Sequence, residues 1–119
     1  MTDDERDLIL FLAEMYLRLG RANHAMLLLA PLVDAEPGGI ALTRLMLRGH
    51  IARGEHRAAL ACIDRLVEHE FSSAELAFAL AMQARALASL GRDPDARSAW
   101  AECVVLCRGA QLDIMDYAR

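Results

Sequence analysis

The stretch YLRLGRANHAMLLLAPLVDAEPGG, residues 16–39, decides the fold. A leucine-rich run reaches Gly20, resumes at Ala22 and continues to Pro37. Glycine is the residue that ends a helix most easily, because it enters the left-handed region without a Cβ clash. Proline past the first turn of a helix removes a backbone hydrogen bond and kinks or ends the helix, and Pro37 is read as its stop. The stretch therefore reads as the end of one helix, a tight turn, and a whole second helix.

The same pattern occurs three times. LGRANHA (19–25), RGEHRAA (53–59) and LGRDPDA (90–96) each place an alanine five residues after the glycine. Gly20 and Gly54 are 34 residues apart, and so are Ala25 and Ala59. The next step is 37 residues, which a three-residue insertion near FSSAE (71–75) explains. A helix–turn–helix unit with a period of 34 is the tetratricopeptide signature.

The expected fold is all-α: a tetratricopeptide-repeat solenoid of three repeats with a concave groove. The repeats cover about 6–39, 40–73 and 77–109 of one domain, with a short tail at 110–119. Helices are expected at 4–19, 22–35, 40–53, 56–70, 74–90 and 93–108. Ser72 or Ser73 can cap the fifth helix, and Asp93 before Pro94 suits the start of the sixth. In the first copy Leu12, Ala13, Tyr16 and Gly20 carry the first-helix pattern, and Ala25, Leu29, Leu32 and Pro37 the second. Ala13 and Ala25 are small enough for the two helices to cross closely, so a bulky residue at Gly20 or Ala25 is expected to keep them from closing. The second copy has Leu47 where a small residue belongs and Phe71 in the proline's place. In the third, Trp100 takes a position that favours a large aromatic.

Composition narrows the function classes. Of 119 residues 55% are hydrophobic but only 5% aromatic, with alanine prominent, which suits helices packed through small side chains. The chain contains no lysine and its net charge is −4, a poor match to nucleic acid, whose phosphates draw basic clusters. The apolar runs at 8–13 and 22–33 fall short of the ~20 residues a membrane helix needs, so no membrane insertion is expected. The acidic start MTDDERD is unlike a signal peptide, and the expected location is the bacterial cytoplasm. Cys62, Cys103 and Cys107 are odd in number, lack a CxxC spacing, and read as small core hydrophobes. His24, His50, His56 and His69 show no triad-like order, and EPGG lacks the rest of a phosphate loop. No enzymatic activity, cofactor or metal is expected.

Stacked repeats line their concave wall with the first helix of each pair. Counting along the repeat frame puts Leu10, Glu14, Leu17 and Arg18 on that wall from the first copy. Arg44, Arg48 and Ile51 come from the second, and Phe78 and Arg85 from the third. Apolar side chains around an arginine stripe suit a helical or extended protein segment that carries acidic groups. The Lys/Asn/Arg carboxylate clamp of chaperone-binding tetratricopeptide domains would fall on Leu10, Glu14, Leu45, Phe78 and Met82, none of which has the required side chain.

Repeats that fill a small acidic chain resemble the small tetratricopeptide chaperones of type III secretion systems, most of all the YscY/SctY class. The residues that carry the likeness are LRLGRANHAMLLLAPLVDAEP: Leu-x-x-Gly-x-x-x-x-Ala, a leucine run, and an acidic-Pro end. The resemblance implies a chaperone that holds a small secreted or apparatus partner of the YscX/SctX class in its groove, as a hetero-oligomer. The alternative is a general tetratricopeptide scaffold assembling another cytoplasmic complex.

Overall fold

A computed structural model describes residues 2–35, 39–69 and 72–110. Six helices and no strand occur among the described residues. They are α1 (Asp3–Arg18), α2 (Ala22–Ala35), α3 (Ile40–Ala52), α4 (His56–Val67), α5 (Ser73–Ser89) and α6 (Asp93–Ala110). The protein is therefore all-helical, with bounds within a turn of those expected. Pro37, Phe71 and residues 111–119 lie outside the described residues, and with them the expected helix stop, its replacement and the end of the tail.

Local chemistry explains the starts. Thr2 caps α1, its Oγ1 accepting from the Glu5 N–H at 3.2 Å. Asp3, Asp4 and Glu5 fill the first turn, where the helix dipole favours negative charge. Ser72, rather than Ser73, caps α5 by accepting from the Glu75 N–H at 3.3 Å. The sixth helix includes Asp93, tolerates Pro94 in its first turn and runs through Gly109. Pro31 lies inside α2 and forfeits one backbone hydrogen bond there.

The three glycine turns share one geometry. Gly20, Gly54 and Gly91 have φ of 75°, 74° and 77°. Each glycine N–H donates to the carbonyl three residues back: Leu17 at 3.1 Å, Ile51 at 3.1 Å and Ala88 at 3.0 Å. The N–H of the next residue donates five residues back: Arg21 to Tyr16, Glu55 to His50 and Arg92 to Leu87. This pair of bonds closes the orphaned carbonyls of a helix end and needs the left-handed residue between them. A Cβ added at any of the three glycines would meet nothing within 4 Å. The expectation that bulk at Gly20 blocks helix closure is thus corrected. The constraint there is backbone conformation, which costs an L-residue about 1–2 kcal/mol.

The chain divides into two compact units, Met1–Cys62 and Ile63–Arg119. In the first unit α1, α2 and α3 pack on one another. Its core holds Ala13, Ala25, Leu29, Leu32, Leu42 and Leu45. Ala13 and Ala25 are both wholly buried, as a close α1–α2 crossing requires. Leu47 is wholly buried as well, so the second copy fills the small-residue position with a packed leucine.

In the second unit α5 packs on α6 through Ala77, Leu80, Ala81 and Cys103. The Cys103 Sγ donates to the Ala77 carbonyl at 3.3 Å. Burial, then the neighbouring Cys107, pushes the Cys103 thiol up to about 11, so it stays protonated and inert at neutral pH. Trp100 is half exposed, because the α6 seam runs through Ala96, Ala99 and Cys103 instead.

Candidate functional site

The side of the first unit formed by α1 and α3 carries most of the expected wall. Glu14 is its organising residue. Its Oε1 accepts from the Arg18 Nε one helical turn on, at 2.9 Å. Its Oε2 accepts from the Arg48 guanidinium of α3. Glu14 and Arg48 are separated by 34 residues, one full repeat period. Equivalent positions of consecutive copies therefore touch, which requires α1 and α3 to run side by side in register.

Burial alone would raise the Glu14 carboxyl, but the hydrogen bonds and charges of Arg18 and Arg48 outweigh it and hold it below the usual range. A depressed carboxylate stabilises the fold above its unfolded pKa and loses that contribution as pH falls through the folded value. Wild type should therefore lose stability relative to Glu14→Gln as pH drops below the ordinary glutamate range. Paired thermal melts from neutral to acid pH check this, and parallel curves would contradict it.

The remaining wall residues divide by environment. Leu10 and Leu17 are half-buried and pack against the core, each leaving only an edge outward. Arg44 and Arg48 are half-buried, and Arg18 is exposed. Ile51 is buried at 7% exposure, so it is a packing residue and the expectation that it lines an open wall is corrected. Phe78, half-buried, and Arg85, exposed, belong to the second unit. With one carboxylate between two guanidinium groups, the Arg18–Glu14–Arg48 cluster keeps a net positive charge. The expected basic stripe is thus partly neutralised from within.

A second polar cluster closes the α3–α4 turn. Glu55 Oε1 lies 3.0 Å from His50 Nδ1 and 3.2 Å from Arg53 Nε. The ionised carboxylate can only accept, so His50 carries its proton on Nδ1. That hydrogen bond, despite some desolvation and with help from Arg53, holds the Glu55 carboxyl below its usual range. His50 is half-buried and tied to the turn through Glu55. In the first copy Tyr16 stacks on His24, with ring centroids 5.4 Å apart.

Among the described residues no group of three or more His, Cys, Asp or Glu is placed to hold a metal ion. Among them too, no helix is long and apolar enough to cross a membrane.

Two features were not anticipated. Gly49 is buried in α3, and a Cβ there would collide with the Met26 Sδ of α2. The Glu14–Arg48 pair was detectable as opposite charges one period apart, had the copies been compared for charge as well as for size. No protein-family model, curated protein or solved structure matches this chain.

Proposed function

We propose that the chain is a tetratricopeptide-type helical-repeat protein that binds a segment of another protein on its α1/α3 face. The partner we assign is a small secreted or apparatus protein of a bacterial type III system. The observation that carries the repeat reading is the Glu14–Arg48 pair, which joins equivalent positions of consecutive copies. The three matching glycine turns support it. The choice of partner class rests on the resemblance of residues 17–37 to the first repeat of the YscY/SctY chaperones.

On this reading Leu10 and Leu17 offer apolar edges, and Arg18, Arg44 and Arg48 attract acidic groups of the incoming segment. A partner carboxylate competes with Glu14 for Arg48, so binding exchanges one ion pair for another and gains mainly in rate and selectivity. Leu17 is a poor test position, because it also packs on the core. Arg44→Glu with Arg48→Glu is the better variant. Capture of the partner from the native cells should fall about tenfold or more at low salt, with the difference narrowing as salt rises. The helical circular dichroism signal should remain, with a modestly lower melt, because the reversal sets a carboxylate beside Glu14. Undiminished capture by the folded variant would remove this face from the proposal. Recovery of a cytoplasmic complex unrelated to secretion would replace the chaperone by a general scaffold.

A further inference from the structure

The first helix buries only one of its sides. Leu8, Phe11, Leu12, Met15 and Leu19 are 57%, 61%, 38%, 41% and 67% exposed. Their spacing of three and four residues puts them on one stripe of α1 and its C-cap. Ala13, by contrast, is wholly buried, and Leu10, Glu14 and Leu17 fall on the other sides of the helix. Five large side chains left roughly half bare expose about 400–500 Å² of apolar surface, as much as the largest patch on a typical soluble monomer.

Charge is arranged along this stripe with a direction. Its N-terminal end is acidic, with Asp3, Asp4 and Glu5 all exposed in the first turn. Its C-terminal end is basic, with Arg18 in the last turn and Arg21 just past the glycine, both exposed. A helix with an apolar stripe, an acidic head and a basic tail complements an antiparallel copy of itself. Placed about a two-fold axis near Leu12, each acidic head lies beside the other copy's basic tail, and the two helix dipoles oppose favourably. Two such stripes together remove about 800–1,000 Å² from water, and the flanking charged ends bring the contact to the lower bound for a specific interface.

We infer that this chain forms a homodimer through antiparallel pairing of the α1 apolar stripe with the same stripe of a second copy. Of the residues used here only Arg18 also belongs to the α1/α3 face assigned to the partner, and Phe11→Glu leaves that face untouched, so loss of self-association and loss of partner capture are distinguishable.

The test is the mass of the purified full-length chain by light scattering and sedimentation equilibrium across a concentration series. A dimer of the 13.1 kDa chain is expected. Phe11→Glu should weaken it on the order of a hundredfold. The helical circular dichroism spectrum of Phe11→Glu should be preserved, because Phe11 is exposed in the single chain, while its melt loses the concentration dependence that dimerisation confers.

Charge swaps test the orientation. Arg18→Glu with Arg21→Glu, and separately Asp4→Arg with Glu5→Arg, should each weaken self-association. An equal mixture of the two should restore a dimer containing one copy of each. A folded monomer at all concentrations, an open-ended series of larger species, or a dimer indifferent to Phe11→Glu would each overturn the proposal. A swap variant that associates with itself as tightly as wild type would overturn the antiparallel arrangement.

Discussion

Ala25→Phe is expected to cost about 3–4 kcal/mol or more and to abolish a cooperative melt of the first unit. Ala25 has no exposed surface and sits in a core with Ala13, Leu29, Leu32, Leu42 and Leu45. Its backbone N–H is already tied to the Arg21 carbonyl at 3.1 Å, directly after the Gly20 turn. The turn bonds on one side and the packed helices on the other leave α2 no direction in which to retreat. A phenyl ring must therefore separate α1 from α2 or adopt a strained rotamer, and either loses contacts throughout a close-packed interior. Ala25→Gly is the matched control. It removes one methyl and adds about 1 kcal/mol of helix penalty, so it should melt lower but cooperatively. Differential scanning calorimetry of both variants separates the cases, and a Phe variant within 1–2 kcal/mol of wild type would refute close packing at this crossing.

The secondary structure was legible because its signals are local. Gly20, Gly54 and Gly91 mark left-handed helix ends, and that requirement depends on φ alone, so spacing sufficed to find all three. Thr2 and Ser72 lie three residues before Glu5 and Glu75, a capping pattern that needs no tertiary knowledge. The expected wall was less legible, because a repeat frame assigns a face to each position without saying how deep it lies. Ile51 counted as wall and is buried, whereas Leu12 carried the first-helix pattern and is 38% exposed. Whether a leucine on α1 is core or surface depends on what packs beside that helix, and the frame supplies the same answer for every copy. The first copy departs most on the stripe from Leu8 to Leu19, where the described structure leaves large apolar side chains exposed. Gly49 was hidden for a different reason. A glycine inside a helix costs about 1 kcal/mol relative to alanine, and the sequence does not reveal that the Met26 side chain fills the space beside it.

That contact yields the second large effect. Gly49→Val is expected to destabilise the first unit by about 1–2 kcal/mol, the flexible Met26 side chain absorbing part of the collision, although propensity alone would slightly favour the change. The Cβ of any replacement collides with the Met26 Sδ and lies 3.1 Å from its Cγ. Met26 is half-buried and packs against the first-unit core, so moving its sulfur aside disturbs contacts on both α2 and α3. Valine adds two γ-methyl groups to that collision, and its stiff χ1 gives them few alternatives inside a helix. The steric origin predicts a rescue. In a Met26→Ala background the obstructing sulfur is gone, and Gly49→Ala should become stabilising by up to about 1 kcal/mol, the ordinary gain of alanine over glycine in a helix. A double-mutant cycle on positions 26 and 49 should therefore give a coupling energy above about 1 kcal/mol, with the alanine substitution changing sign between backgrounds. Additive effects would place the constraint on Gly49 somewhere other than the α2–α3 contact, and Met26 would then have no part in fixing how closely these helices approach.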